Sequence, residues 1–158
     1  MEAKISQFIL KVSKFEFFLI NTDITLAHFD RATGAVTGLN WTRLAALIEA
    51  EMPFSAFNFQ QSGFSIFKDT APQYLTISPE GCLKWDSDDQ PIDSWERLLS
   101  RSFAQLRNNV AHGNKAQMTA PFTLGRTEGF LNAGDNLIEF IAEHVFHNPD
   151  WQTPIMFR

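Results

Sequence analysis

The sequence predicts an all-α fold, an antiparallel four-helix bundle carrying one small β-hairpin insertion between its second and third helices. Apolar residues recur at helical spacing over four stretches. One segment, about residues 73–86, instead alternates around a turn. A hydrophobic share of 44%, with no repeat, low-complexity tract or Pro- or Ser-rich linker, supports one core in a single domain spanning 1–158.

Residues 2–30 read as a long first helix, with Ile5, Phe8, Ile9, Val12, Phe15 and Ile20 on its apolar side and Lys4, Lys11 and Lys14 between them. Residues 32–39 hold two glycines and read as a loop. Asn40 is a suitable N-cap for a second helix over 41–51, which Pro53 breaks or bends. The Phe-rich stretch to Phe67 also carries Ser, Asn and Gln, and its periodicity decides nothing.

The hairpin consists of two alternating runs, Tyr74-Leu-Thr-Ile-Ser and Cys82-Leu-Lys-Trp, around Pro79-Glu-Gly. The third helix begins at Ile92 or Asp93, where Asp93 and Glu96 have the spacing of a capping box. Trp95, Leu99, Phe103, Leu106 and Val110 then form a stripe typical of a bundle core. Gly113 reads as the residue just past its end. A last helix runs from about 127 to 147 and stops at Asn148-Pro149, leaving an extended or loosely docked C-terminal tail, 149–158.

The composition narrows the functional classes. Cys82 is the single cysteine, so neither an internal disulfide nor a cysteine metal cluster can form. The start of the chain lacks the pattern of a signal peptide, and the apolar run 15–20 is interrupted by Glu16 and too short to span a bilayer. The expectation is a cytoplasmic protein with no membrane partner.

Net charge is −5, which taken alone disfavours nucleic acid. The charge is uneven, however. Arg97, Arg101, Arg107, Lys115 and Arg126 span a stretch without any acid, just after Asp86, Asp88, Asp89, Asp93 and Glu96. This is either an acidic loop followed by an ordinary basic helix, or a basic strip able to meet phosphates. The sixteen Phe residues argue for a second copy, because a domain of this size struggles to bury so many alone.

Familiar catalytic motifs are absent: there is no Gly-rich phosphate loop and no His-Glu-x-x-His pair. His144 and His147, three apart, make a poor metal site without a third ligand on their face, and His28 is isolated. No metal or cofactor is expected. The remaining signal is Leu106-Arg107-Asn108-Asn109-Val110-Ala111-His112-Gly113, late in the third helix. Read without any family, Arg107 and His112 solvate a helix end and complement its dipole. Read as chemistry, Arg offers a permanently charged fork for phosphate, and His titrates in the range needed to move protons.

Arg107, Asn108 and His112 resemble the signature of the HEPN superfamily of small helical proteins: Arg, a polar residue and then His, late in the third helix of a bundle. The hairpin forms no part of that resemblance. It implies a metal-independent endoribonuclease with Arg107, Asn108 and His112 as catalytic residues and Arg97, Arg101, Lys115 and Arg126 as RNA-binding ones. It further implies RNA as substrate, a homodimer, and a toxin or defence role with an antitoxin protein as partner. Some members of the superfamily are silent dimerising or nucleotide-binding modules, which is the alternative, and a plain structural helical protein is the third. Arg107 and His112 lie about 140° apart on a helix, so a site shared between two subunits is expected.

Overall fold

A computed structural model describes residues 1–112 and 124–153, without the side chains of His112 and Leu124. It corrects the all-α expectation. Helix makes up 59% of the structure, accompanied by two small antiparallel two-stranded sheets, so the fold is mixed α and β and not an all-α four-helix bundle.

Helix α1 (Glu2–Thr22) stops where Asp23 turns extended and caps a short 3₁₀ turn by accepting from the Thr25 amide at 2.9 Å. The chain then pairs β1 (Ala27–Phe29) with β2 (Val36–Leu39). Both were expected to be something else, the end of the first helix and a loop. The reversal is local: Asp30 Oδ1 accepts from the Ala32 and Thr33 amides at 2.7 and 3.0 Å, and Gly34 takes φ 73°. Strands this short, with a bulge at His28/Phe29, are too brief to show alternation in sequence.

Helix α2 (Trp41–Glu51) starts as expected at Asn40, whose side chain accepts from the Arg43 amide at 2.9 Å. After Pro53 the Phe-rich stretch forms two 3₁₀ turns and a single helical turn, α3 (Ile66–Asp69). Phe54, Phe57, Phe59, Phe64 and Phe140 surround Trp95 with ring centroids 5.1–6.5 Å away. Trp95 Nε1 donates to the Met52 carbonyl at 2.8 Å, giving this aromatic box a polar anchor.

The second sheet pairs β3 (Tyr74–Ile77) with β4 (Leu83–Asp86), as expected, and Gly81 at φ 82° supplies the turn. The Leu75/Trp85 and Ile77/Leu83 pairs share one face, with Leu75, Ile77 and Leu83 exposed.

The third helical stretch is capped by Ser94, not by Asp93, and the Ser94 side chain accepts from the Arg97 amide at 3.2 Å. It proceeds as α4 (Trp95–Arg97), a π stretch (Leu98–Phe103) and α5 (Ala104–His112). The Ala104 amide reaches back to the Leu99 carbonyl, and this wide turn lets Leu98 and Leu99 both face the core. Ser102, also buried, donates to the Phe67 carbonyl at 2.7 Å. All five stripe residues, Trp95, Leu99, Phe103, Leu106 and Val110, are buried.

Helix α6 (Leu124–Phe140) continues into a π stretch (Ile141–Val145), and His147 at φ 54° turns the chain away just before Asn148. The tail is docked as far as it is described, with Trp151 buried against Phe15 and Phe18 and donating to Glu139 Oε2 at 2.9 Å. Helix α1 packs on α5 and α6, α2 on α4, and α3 on α6. Gly134 permits the α1–α6 approach, since a Cβ there would stand 2.5 Å from the Phe8 ring.

Phe8, Phe15, Phe18, Phe54, Phe59, Phe64, Phe67, Phe103 and Phe130 are buried within one chain, with Phe57, Phe140 and Phe146 packed against that core. The abundance of Phe therefore gives no argument for a second copy. Among the described residues, no helix is long and apolar enough to cross a membrane.

Candidate functional site

Four consecutive residues of α5 point four ways, as steps of about 100° require. Leu106 enters the core. Arg107 reaches α1, and Asn108 faces solvent. Asn109 is buried beneath the hairpin, donating to the Gln73 carbonyl at 2.7 Å and accepting from Gln105 Nε2 at 2.8 Å. Core packing on one side and the hairpin stem on the other thus fix the roll of α5, which aims Arg107 at the α1 seam.

Arg107 Nη2 donates to Glu16 Oε2 at 3.3 Å, and Nη1 donates to Asn108 Oδ1 at 3.3 Å. The Glu16 side chain is 18% exposed and that of Arg107 41%, so the carboxylate lies behind and the guanidinium in front. Burial raises the Glu16 carboxyl above its ordinary value, and the Arg107 charge and hydrogen bond offset only part of that rise. Beside the pair, Phe8, Ile9, Val12, Ser13, Arg107, Val110 and Ala111 line a cleft of about 180 Å³.

Glu16 was not named as a site residue from sequence. The signal that pointed to it is the lone acid inside the apolar run 15–20.

Arg97 and Arg101 are engaged away from this cleft. Arg97 pairs with Asp93 at 3.2 Å and donates to the Pro91 carbonyl. Arg101 Nη1 stands 2.7 Å from Asp88 Oδ2, and Nη2 donates to Gln90. The acidic loop therefore folds back on the first half of the basic strip and neutralises it. Arg97 is also roughly 15 Å from Arg107 along the helical axis. Arg126 stacks over the Phe130 ring at 5.6 Å. His112 closes α5, its side chain lies outside the described residues, and so does Lys115.

A larger groove of about 430 Å³ separates α1 from α6 and carries Lys4, Lys11 and Lys14. Lys4 pairs with Glu128, and Lys11 with Asp135 and Glu139, so its charge is largely balanced. Among the described residues no three His, Cys, Asp or Glu side chains stand close enough to hold a metal ion, and His144 lies against the Phe140 ring at 5.6 Å.

In chemical terms the α1–α5 seam presents a half-exposed, permanently charged fork, held from behind, at the mouth of a small apolar cleft. Compared with protein-family models, with curated proteins and with solved structures, the chain matches none.

Proposed function

We propose that this chain is a metal-independent endoribonuclease acting through Arg107, Asn108 and His112, as its resemblance to the HEPN superfamily implies. The observation that carries the reading is the presentation of Arg107, fixed by Glu16 and Asn108 with its outer edge free at a cleft, in the same helix as His112. In the proposed reaction the ribose 2′-oxygen attacks phosphorus and its proton passes to one His112. Arg107 stabilises the charge on the phosphorane. The 5′-oxygen leaves with a proton from a second His112, and a 2′,3′-cyclic phosphate remains.

The two proton transfers call for two His112, hence a twofold homodimer. A cytoplasmic toxin or defence role with a neutralising protein partner belongs to the same proposal. The ion pairing of Arg97 and Arg101 favours a second reading, a catalytically silent module that binds a protein or nucleotide.

Wild type and His112→Ala, given the same single-stranded RNA with a chelator present, separate the two readings. The nuclease reading expects cleavage by wild type alone, cyclic phosphate ends and inert DNA. Equal inertness, or cleavage only with added metal, leaves the silent module.

A further inference from the structure

We propose that Glu16 is a positioning residue: its carboxylate holds the Arg107 guanidinium from across the α1–α5 seam and aims the free edge of that fork at an RNA phosphodiester. The inference rests on the reading of Arg107 as a phosphate-binding group.

The geometry has three parts. Glu16 Oε2 and Asn108 Oδ1 each accept from a different terminal nitrogen of Arg107, both at 3.3 Å. Two acceptors on two nitrogens restrain both the tilt and the roll of a planar group. Among the described residues no further acceptor meets Arg107, so its other N–H groups remain for a ligand. The carboxylate is the more buried partner, so an arriving phosphate meets the guanidinium first.

The Glu16 carboxyl is raised in the folded chain because burial outweighs the pull of Arg107, so an ionised Glu16 opposes folding. A carboxylate shifted by burial beside a specific charge partner and a cleft supports a functional reading of the pair. Val12 and Val110 support it from either side of the seam, since both are buried and both line the cleft.

The test is a mutant cycle on the full chain with two readouts: cleavage of single-stranded RNA, and binding of the same RNA carrying 2′-O-methyl groups, which cannot be cleaved. Glu16→Ala is expected to lower kcat about tenfold with a smaller change in KM, as for a misaimed charge. It is expected to weaken binding of the methylated RNA about threefold. Glu16→Gln keeps an oxygen acceptor and is expected to restore both readouts to within about threefold of wild type. In an Arg107→Ala background, Glu16→Ala is expected to change neither.

Circular dichroism and melting of each variant separate misfolding from misaiming. If Glu16→Ala leaves both readouts at the wild-type level, or lowers them equally with Arg107 absent, the proposal is overturned. Should wild type bind the methylated RNA and cleave nothing, the nuclease reading fails, and the binding cycle still decides the role of Glu16. Should wild type neither bind nor cleave, both fail.

Discussion

Arg101 and Asp88 stand 2.7 Å apart, so the second cation of the basic strip is tied to the acidic loop that precedes its helix. The contact is close but off the line of a hydrogen bond, and both side chains are about a third exposed or less.

Asp88→Asn is therefore expected to free Arg101 for a phosphate. Affinity for single-stranded RNA should rise about threefold at low salt, and the slope of log affinity against log salt should steepen by about one. The melting midpoint should fall modestly, because the partly buried Arg101 loses the charge that faces it. Titrations at two salt concentrations check it. An unchanged affinity and slope would remove Arg101 from the RNA-binding set.

Glu16 gives the chain a pH signature. Its carboxyl is raised above the usual 4.5 on folding, chiefly by burial. The folded state thus binds this proton more tightly than the unfolded state. The penalty for ionised Glu16 is fully present above the raised value, shrinks as pH falls through it, and disappears below 4.5. Glu16→Gln lacks that penalty. Its melting midpoint should exceed that of wild type at neutral pH, and the gap should narrow towards pH 4.5. Paired thermal melts across that range measure it, and a gap that widens as pH falls would refute the assignment.

Trp95 holds the aromatic box, and its single hydrogen bond can be separated from its bulk. Trp95→Phe removes the donor to the Met52 carbonyl and should cost about 1–3 kcal/mol. Trp95→Ala also empties the box and should cost about 3–5 kcal/mol. Denaturant melts of the two variants give both figures. Equal losses would mean that the hydrogen bond, and not the packing, carries the site.

Local chemistry made much of this fold legible. The stripe from Trp95 to Val110 is buried because 3.6-residue spacing puts those side chains on one face whatever they pack against. The second hairpin follows from alternation and the Gly81 turn, and α2 begins at Asn40 because its side chain satisfies an orphan amide three residues on. The first sheet escaped because strands of three and four residues carry too little pattern to compete with the helix before them.

The candidate site divides along the same line. The adjacency of Arg107 and Asn108, and their place late in a helix, are properties of the sequence. That Arg107 meets Glu16, 91 positions earlier, and that Arg101 meets Asp88 across the hairpin's exit loop, was decided by packing. The sequence shows opposite charges but not their pairing. The roll of α5 depends on how Leu106, Asn109 and Val110 seat against the rest of the core. That choice sent Arg107 to a carboxylate behind a cleft.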